Sequence, residues 1–311
     1  MSKTILVTAA TGKIGKYLVP DLIKKNYTVH ALVRSLDSPA SLELEAMGTK
    51  LFKGDFDDLD AIRAASKGID GVLINTVPTY GSMKEVDQIR NIIQGAKEGG
   101  ATTAVYISAY LLDQKDNFPG YGPKHPMYHM SECKAQAEAD LKEAGFQSWT
   151  VLRPPSFMDN QFMPQIYELQ WPHLHTEHTL VTTLPTTFKF PLIDPLTIAE
   201  YAEAAFADPE LLKSQIIELA SDTPTLDEMA AKMTRVIGQE FKAKCVPKEE
   251  AASVGIFAVL PLWWDALQMF EHTIDLKSLQ TYPIKLHTFG DYLERNKDWI
   301  VPQFEDKKDE N

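Results

Sequence analysis

A turn of small residues near the start of the chain has the residue types and spacing that bind phosphate groups. It runs from Thr8 to Gly15, after the apolar stretch Ile5–Val7 and before a helical pattern that starts at Lys16. In such a turn Gly12 would let the backbone approach a pyrophosphate, and Gly15 would let the helix pack closely on a sheet. The turn residues expected to contact a dinucleotide are Thr8, Ala10, Thr11, Gly12, Lys13 and Ile14.

The usual phosphate-binding fingerprint has three glycines, and this turn lacks the first of them. Ala9 stands in its place. Alanine costs little there if its φ stays negative. Since small-residue turns also open helices that bind no ligand, the turn needs support from a second feature of the chain.

That support comes from Arg34 and Ser35, which follow the apolar strand Val29–Val33. An acidic residue at the end of this strand would bind the ribose hydroxyls of NAD, whereas a guanidinium and a hydroxyl suit a 2′-phosphate. The pair therefore favours NADP(H) over NAD as the cofactor. The alternative is that Arg34 is a solvated charge at a strand end.

Helical patterns alternate with short apolar runs from the first strand to Leu152, and this alternation predicts an α/β fold with a doubly wound parallel sheet. We expect residues 1–160 to form the cofactor domain, with segments near 190–222 completing its sheet. Residues 161–311 would form a smaller, mostly C-terminal substrate-binding region, interleaved with the last strands.

Ligands of such a sheet bind at the carboxyl ends of its strands. Asp55 is placed there to accept a hydrogen bond from the adenine amino group, although the acidic residues around it also suit a helix N-cap. The other strand-end residues expected to contact the cofactor are Phe56, Asn75, Thr76 and Ser108.

As a set, the motifs resemble the NmrA-like family of atypical short-chain dehydrogenases, over roughly residues 3 to 240. The resemblance rests on Val7–Gly15, Arg34, Gly54-Asp55, Lys134, Arg153–Asn160 and Ile193-Asp194-Pro195. It implies a Rossmann-type fold that binds NADP(H). It also implies that Arg34 holds the 2′-phosphate, that Lys134 reaches the nicotinamide ribose, and that Phe157, Met158 and Asn160 border the nicotinamide.

The tyrosine that ordinary short-chain dehydrogenases place four residues before the lysine is missing, because Met130 occupies that position. Tyr128 lies six residues before Lys134, roughly 120° away around a helix, which makes it a poor substitute. The other candidate proton donors are Tyr110, Tyr121, His129 and Lys134 itself, the last by resemblance to isoflavone-reductase-like relatives. For each of these residues the alternative to a catalytic role is a structural one. A tyrosine ring would pack in the protein with its hydroxyl exposed to solvent, and the histidine and the lysine would be solvated on a loop and on a helix.

Apolar residues are frequent in the later part of the chain. The run Val254–Leu260 is too short to span a bilayer and is interpreted as a helix that covers a pocket or packs in the core. The large side chains that could line a substrate pocket are Trp171, Phe257, Trp263, Trp264 and Met269, and ordinary core packing is the alternative for each.

Three histidines, His173, His175 and His178, lie within six residues of one another. On a strand, His173 and His175 would share a face and could chelate a metal. A polar loop over the substrate pocket is the preferred interpretation, and no metal is expected.

Charge and cysteine content limit the partners and the compartment. A formal charge of −12 argues against direct binding to nucleic acid, which depends on Lys and Arg neutralising phosphates. The two cysteines, Cys133 and Cys245, have no metal or redox spacing, and no signal or membrane segment is recognised. We therefore expect a cytoplasmic protein with reduced thiols and no membrane association.

Two functions follow from these expectations. The first is an NADPH-dependent reductase of a small aromatic or unsaturated carbonyl or imine compound, with Lys134 or a nearby tyrosine, Tyr110 or Tyr128, assisting proton transfer. The second is a non-catalytic sensor that binds NADP(H) and a protein partner. The missing tyrosine favours the sensor, whereas the retained lysine and the apolar late segment favour the reductase, which is preferred.

Overall fold

Seven parallel strands form the central sheet of this chain in a computed structural model that describes residues 2–79, 81–271 and 273–305. The chain divides into two units. Unit 1 comprises Met1–Pro154 and Pro195–Leu219, and unit 2 comprises Pro155–Asp194 and Ala220–Asn311.

The helices and strands are numbered in chain order. The strands are β1 Thr4–Val7, β2 Thr28–Val33, β3 Lys50–Lys53, β4 Gly71–Ile74, β5 Thr103–Ile107, β6 Ser148–Arg153, β7 Ser156–Phe157, β8 Thr179–Thr182, β9 Leu192–Ile193, β10 Gln215–Glu218 and β11 Lys242–Cys245. The α-helices are α1 Gly15–Lys24, α2 Pro39–Ala46, α3 Leu59–Ser66, α4 Lys84–Gly99, α5 Tyr128–Glu143, α6 Pro164–Gln170, α7 Pro195–Ala207, α8 Leu226–Ile237, α9 Leu260–Met269, α10 Leu276–Leu279 and α11 Phe289–Ile300.

Unit 1 contains the seven-stranded sheet, whose order is β10-β6-β5-β4-β1-β2-β3. Every pairing in it is parallel, so all the carboxyl ends lie at one edge. The strand order reverses its direction of growth next to β1, which is the switch point where ligands of such sheets bind. The predicted doubly wound α/β fold is confirmed.

The central strands are buried because helices cover both faces of the sheet. Leu6, Val72, Ala104 and Val151 on β1, β4, β5 and β6 are each at most 1% exposed. They belong to one apolar cluster with helix residues such as Ile92 of α4. This packing holds the polar strand ends in place.

Unit 2 contains two short parallel pairs, β7 with β9 and β8 with β11. Its core includes the indoles of Trp171 and Trp264, which are fully buried and stack with their ring centroids 5.7 Å apart. The guanidinium of Arg295 on α11 pairs with Asp194 at 2.5 Å. A capping box formed by Thr225 and Glu228 begins α8.

One expectation about local structure in unit 2 is wrong. The run Val254–Leu260 does not form a helix: it lies in turns and irregular backbone until α9 begins at Leu260, with Pro261 in its first turn. Proline is tolerated there because the first N–H groups of a helix have no partner within it. The segment with His173 and His175 is a series of turns, as the preferred interpretation of a loop predicts, so these side chains do not share a strand face.

Candidate functional site

The phosphate-binding turn joins β1 to α1, and its first position adopts a left-handed conformation. Ala9 has φ of +49°, so the condition under which alanine would cost little at this position is not met. The chain folds this way because the N–H of Gly12 donates to the carbonyl of Ala9 at 2.9 Å, which closes the turn. A left-handed alanine costs about 1 to 2 kcal/mol, so the missing glycine leaves strain at this position.

The same turn requires glycine at position 15. The expected reason was close packing of the helix on the sheet, but the contact that excludes a side chain is within the turn itself. A Cβ atom at this position would lie 2.0 Å from the carbonyl oxygen of Ala10. The backbone of the turn itself therefore excludes a side chain at the first residue of α1. Thr8 supports the turn from the other side: its buried hydroxyl donates to the carbonyl of Leu73 at 2.8 Å and accepts from the N–H of Asn75 at 2.7 Å.

Replacing Ala9 with glycine is expected to raise the free energy of unfolding by about 0.5 to 1 kcal/mol. Relief of the left-handed strain exceeds the greater chain entropy that glycine has in the unfolded state. Urea unfolding followed by circular dichroism measures the difference. Ala10→Gly is the matched control, since Ala10 is buried without a positive φ and its substitution should destabilise. A loss of stability in Ala9→Gly as large as that in the control would contradict the strain.

A cavity of about 680 Å³ opens beside this turn at the carboxyl ends of β1, β2 and β3. Six residues predicted to contact the cofactor line it, namely Thr11, Gly12, Arg34, Ser35, Asp55 and Phe56. The sequence did not point to several of its other lining residues, among them Ser38, Ser41, Thr79 and Gln88, whereas Val77 and Pro78 follow a strand and were expected near the site. Four of the predicted contacts lie away from the lining, in or beside the turn: Thr8, Ala10, Lys13 and Ile14.

Arg34 is exposed at the end of β2 and contributes to the wall of this cavity. The hydroxyl of Ser35 donates to the carboxylate of Asp37, and this hydrogen bond lowers the pKa of that exposed carboxyl. The hydroxyl of Ser41 donates to the carbonyl of Ser35 at 2.6 Å, and Ser38 caps α2. Hydroxyl groups and one guanidinium therefore surround this end of the cavity, with one carboxylate close by.

Asp55 lies after β3, and the acidic residue that caps the following helix is its neighbour Asp58 rather than Asp55 itself. Asp58 is the N-cap of α3 and accepts from the N–H of Ala61 at 2.9 Å. The carboxylate of Asp55 accepts from the N–H of Asp57 at 2.9 Å, and Asp55 remains part of the cavity wall. Its geometry leaves it available to a ligand in the cavity.

Lys134 of α5 is 4% exposed, so the solvated helix lysine is wrong as an interpretation. Its ammonium pairs with the carboxylate of Glu85 on α4 at 2.8 Å and donates to the carbonyl of Ile107 at the end of β5 at 3.2 Å. The hydroxyl of Thr76, after β4, donates to the same oxygen of Glu85 at 2.7 Å. Thr76, Glu85 and Lys134 thus form one buried chain of polar contacts, and no motif in the sequence pointed to Glu85.

Tyr106 on β5 lies directly beside this lysine, whose ammonium is 5.2 Å from the centre of its ring. Burial raises the pKa of its phenol well above the usual value, and the negative charges of Glu85 and Glu138 raise it further. The phenol therefore keeps its proton at neutral pH. It packs against the lysine without the i, i+4 relation that ordinary short-chain dehydrogenases use.

A second buried ionic cluster lies at the ends of β5, β6 and β10. The guanidinium of Arg153 contacts both oxygens of Glu138, at 2.9 and 2.7 Å, and also contacts Asp113 at 2.7 Å and Glu218 at 3.0 Å. The hydroxyl of Ser108, predicted to contact the cofactor, donates to Glu138 at 2.6 Å and is part of this cluster. One cation thus faces three carboxylates, and burial raises the pKa of Glu218 to about 7.

Glu218→Gln is expected to gain stability relative to the unmodified protein as the pH rises from 5 to 8. The pKa of Glu218 is raised in the folded state, so the unfolded chain releases this proton at a lower pH than the folded protein does. The unmodified protein therefore loses stability as the pH rises towards 7. Glutamine does not ionise, and the relative gain should be about 1 to 3 kcal/mol.

Urea unfolding at pH 5, 6, 7 and 8 measures this difference. Glu210→Gln is the control, because Glu210 is exposed and pairs with Lys213 at the surface, and its effect should not vary over this range. If the free energies of unfolding of Glu218→Gln and the unmodified protein differ by the same amount at every pH, the raised pKa of Glu218 is refuted.

The remaining candidate proton donors of unit 1 lie between β5 and the first turn of α5. Tyr110 is 6% exposed, and Tyr121 donates to Glu132 at 2.8 Å. Burial raises the pKa of the Tyr121 phenol, and its hydrogen bond to Glu132 raises it further. Tyr128 is the first residue of α5, and its ring packs against those of Tyr121 and His129. These rings form one aromatic group before the lysine-bearing turn of α5.

Phe157, Met158 and Asn160 belong to unit 2. Phe157 pairs with Ile193 in the β7–β9 ladder, Met158 is fully buried, and Asn160 lies in the short 3₁₀ turn that follows. Among the residues proposed to line a substrate pocket, Phe257 and Met269 are exposed, whereas Trp171 and Trp264 are buried in the core of unit 2. Core packing is therefore correct for these two tryptophans.

The three histidines of unit 2 have separate environments. His173 contacts Glu177 at 2.8 Å, the ring of His175 stacks between those of Tyr167 and Phe304, and His178 packs on Phe241. Over residues 2–79, 81–271 and 273–305, no group of His, Cys, Asp or Glu side chains is arranged to hold a metal ion. Within these same ranges no helix has the length and apolar character to cross a membrane.

The parallel sheet, the strand-turn-helix unit at its switch point and the cavity beside it define an α/β protein of the Rossmann type. The chain belongs to the NmrA-like family, whose sequence profile matches residues 1–293, so the predicted resemblance is confirmed.

Individual relatives include enzymes and a regulator. Quinone oxidoreductase 2 of Escherichia coli is 27% identical over 242 residues, which cover 76% of this chain and 75% of that protein. The structure of Citrobacter sp. triphenylmethane reductase complexed with NADP(H) has a TM-score of 0.73 at 19% identity, covering 94% of this chain and 99% of that one. NmrA, a negative transcriptional regulator, has a TM-score of 0.65 at 17% identity, covering 98% and 90%.

Proposed function

We propose that this protein is an NADPH-dependent reductase of a small aromatic or unsaturated carbonyl or imine compound. The observation that carries the proposal is the glycine-containing turn at the switch point, with Arg34 in the wall of the adjacent cavity. The N–H groups of the turn and the N-terminus of α1 suit a pyrophosphate, and Arg34 suits a 2′-phosphate. The similarity to quinone oxidoreductase 2 and to triphenylmethane reductase supports a reductase.

The residues present fit the cofactor. The turn residues Thr11 and Gly12 would hold its phosphates, Arg34 and Ser35 its adenine ribose phosphate, and Asp55 its adenine amino group. Lys134 would bind the hydroxyls of its nicotinamide ribose. When bound, NADPH supplies a hydride to an electron-poor carbon of the substrate.

The reduction also consumes one proton, which this chain must deliver to the substrate oxygen or nitrogen. Lys134 and Tyr128 are the proposed sources, and Tyr110 is a third. Tyr106 and Tyr121 are poor sources, because the pKa of each phenol is raised and its proton is held tightly. The proton balance is complete with one proton from solvent, which restores the donor after each turnover.

The test is NADPH oxidation, followed at 340 nm, with a panel of quinones, enones, imines and a triphenylmethane dye. A reductase should oxidise NADPH with at least one class, and NADH more slowly. No turnover with any of them, together with saturable NADPH binding, would refute the reductase.

A non-catalytic NADP(H) sensor is the second candidate. The observations that favour it are the Met130 position, which lacks the usual tyrosine, and the structural similarity to the regulator NmrA. It would bind NADPH and NADP⁺ with different affinities and bind a protein partner in one of these states only. Retained turnover would exclude it.

A further inference from the structure

Glu85 is a buried carboxylate that the reaction described above does not use. It is the second residue of α4, and its side chain is 0% exposed. One oxygen accepts from Thr76 and pairs with Lys134, and the other is buried with no hydrogen-bond partner in the described part of the chain. Burying a carboxylate is unfavourable unless a cation compensates it, and Lys134 is the cation in contact.

The contacts of Lys134 also restrict its own side chain. An ammonium has three N–H donors, and here Glu85 and the carbonyl of Ile107 receive two of them. The ring of Tyr106 covers another side of the ammonium at 5.2 Å. Two fixed partners therefore set the direction of the third N–H, whereas the ammonium of a lysine in solvent has no fixed direction.

Glu85 also joins this lysine to the loop after β4. The hydroxyl of Thr76 donates to its carboxylate, and the backbone N–H of Glu85 donates to the hydroxyl of Thr79 at 3.1 Å. Thr79 lines the cavity beside the phosphate-binding turn. One residue thus connects the cavity wall near β1 and β4 with the lysine at the end of β5.

We propose that Glu85 is a positioning residue that directs the side-chain amine of Lys134 at the nicotinamide ribose of NADP(H). This rests on the proposed function, because it places that cofactor in unit 1. Glu85 itself does not contact the cofactor and acts through the lysine. Lys134 therefore works as one half of a buried ion pair, and not as a lone general base.

The experiment compares two probes that share the adenosine 2′-phosphate half of the cofactor. NADPH carries the nicotinamide ribose, whereas adenosine 2′,5′-bisphosphate carries the 2′-phosphate and lacks the nicotinamide half. Dissociation constants of both are measured by fluorescence or calorimetric titration for the unmodified protein, Glu85→Gln, Lys134→Met and the double variant. Glu98→Gln is the matched control on the same helix, since Glu98 is exposed and pairs with Arg63 at 2.7 Å.

In Glu85→Gln, NADPH should bind tenfold or more weakly, as expected for a misdirected charge-assisted hydrogen bond, and the bisphosphate should bind within twofold of normal. Lys134→Met should behave the same way. The double variant should match Lys134→Met within twofold, because Glu85 has no effect once the lysine is gone. Glu98→Gln should change neither probe.

The outcomes separate this proposal from the reductase itself. The proposal is overturned if Glu85→Gln binds NADPH normally, or if it binds both probes equally weakly, as after a general loss of structure. It is overturned too if the effects of the two substitutions on the NADPH dissociation constant multiply in the double variant. It is also overturned if the unmodified protein binds no NADPH. If NADPH binds with the expected pattern but no substrate is reduced, the proposed reductase activity is refuted and the positioning role of Glu85 stands.

A single variant that fails to fold leaves the test intact. Each single substitution leaves one buried charge, whereas the double variant removes both, so the double variant should unfold at a higher temperature than either. A double variant less stable than both single variants would overturn the pairing.

Discussion

Arg153→Met is expected to lower the free energy of unfolding by about 3 to 5 kcal/mol, the largest effect on stability predicted for this chain. Arg153 is 2% exposed at the end of β6, and it holds Glu138 of α5 through two hydrogen bonds. Without the guanidinium, Glu138 stays buried with the hydroxyl of Ser108 as its remaining hydrogen-bond donor within the described ranges. Methionine fills a similar volume, so the loss reports the unpaired charge rather than a cavity.

Urea unfolding at pH 7 measures this effect, with two comparisons. Arg90→Met removes an exposed arginine whose partner is Asp140 of α5, and it should change stability by less than about 1 kcal/mol. Adding Glu138→Gln to Arg153→Met removes the orphaned charge and should restore part of the loss. Equal effects of Arg153→Met and Arg90→Met would show that the buried cluster does not stabilise the sheet edge.

Arg34→Ala is expected to weaken NADP(H) binding by about 10- to 100-fold while changing NAD(H) binding by less than threefold. A hydrogen bond to a charged group contributes about 1.5 to 3 kcal/mol, and the 2′-phosphate is the group that distinguishes the two cofactors. Arg34 is exposed in the cavity wall, so its loss should leave folding unchanged. Calorimetric titration with NADPH and NADH measures the selectivity.

Lys213→Ala is the control for net charge, because Lys213 is an exposed lysine that pairs with Glu210. It should leave the ratio of the two dissociation constants unchanged. Equal losses of NADPH and NADH affinity in Arg34→Ala would contradict the 2′-phosphate assignment and favour a solvated charge at this strand end.

The order of strands and helices in unit 1 could be predicted from the sequence because buried parallel strands are short apolar runs separated by amphipathic helices. The boundaries were within a few residues: α1 begins at Gly15, where Lys16 was expected, and β1 begins at Thr4 in place of Ile5. Terminal turns have weak local preferences, so such differences are expected.

Backbone conformation and helix placement outside this pattern were harder to predict. The positive φ of Ala9 follows from closure of the turn by Gly12, and alanine itself gives no sign of it. Val254–Leu260 is apolar enough for a helix, yet it lies in turns and irregular backbone up to the start of α9, with Ile256 buried and Phe257 exposed. Composition describes how apolar a segment is, whereas its conformation depends on what it packs against.

Residue types and spacing along the chain by themselves determined the α/β class, the phosphate-binding turn and the candidate residues Arg34 and Lys134. These features are local, so a short stretch of sequence carries them. The tertiary structure alone decided that Lys134 pairs with Glu85 and that Arg153 gathers Glu138, Asp113 and Glu218. Partners far apart in the chain meet only when the strands align in the sheet, because the strand ends bring them within hydrogen-bonding distance.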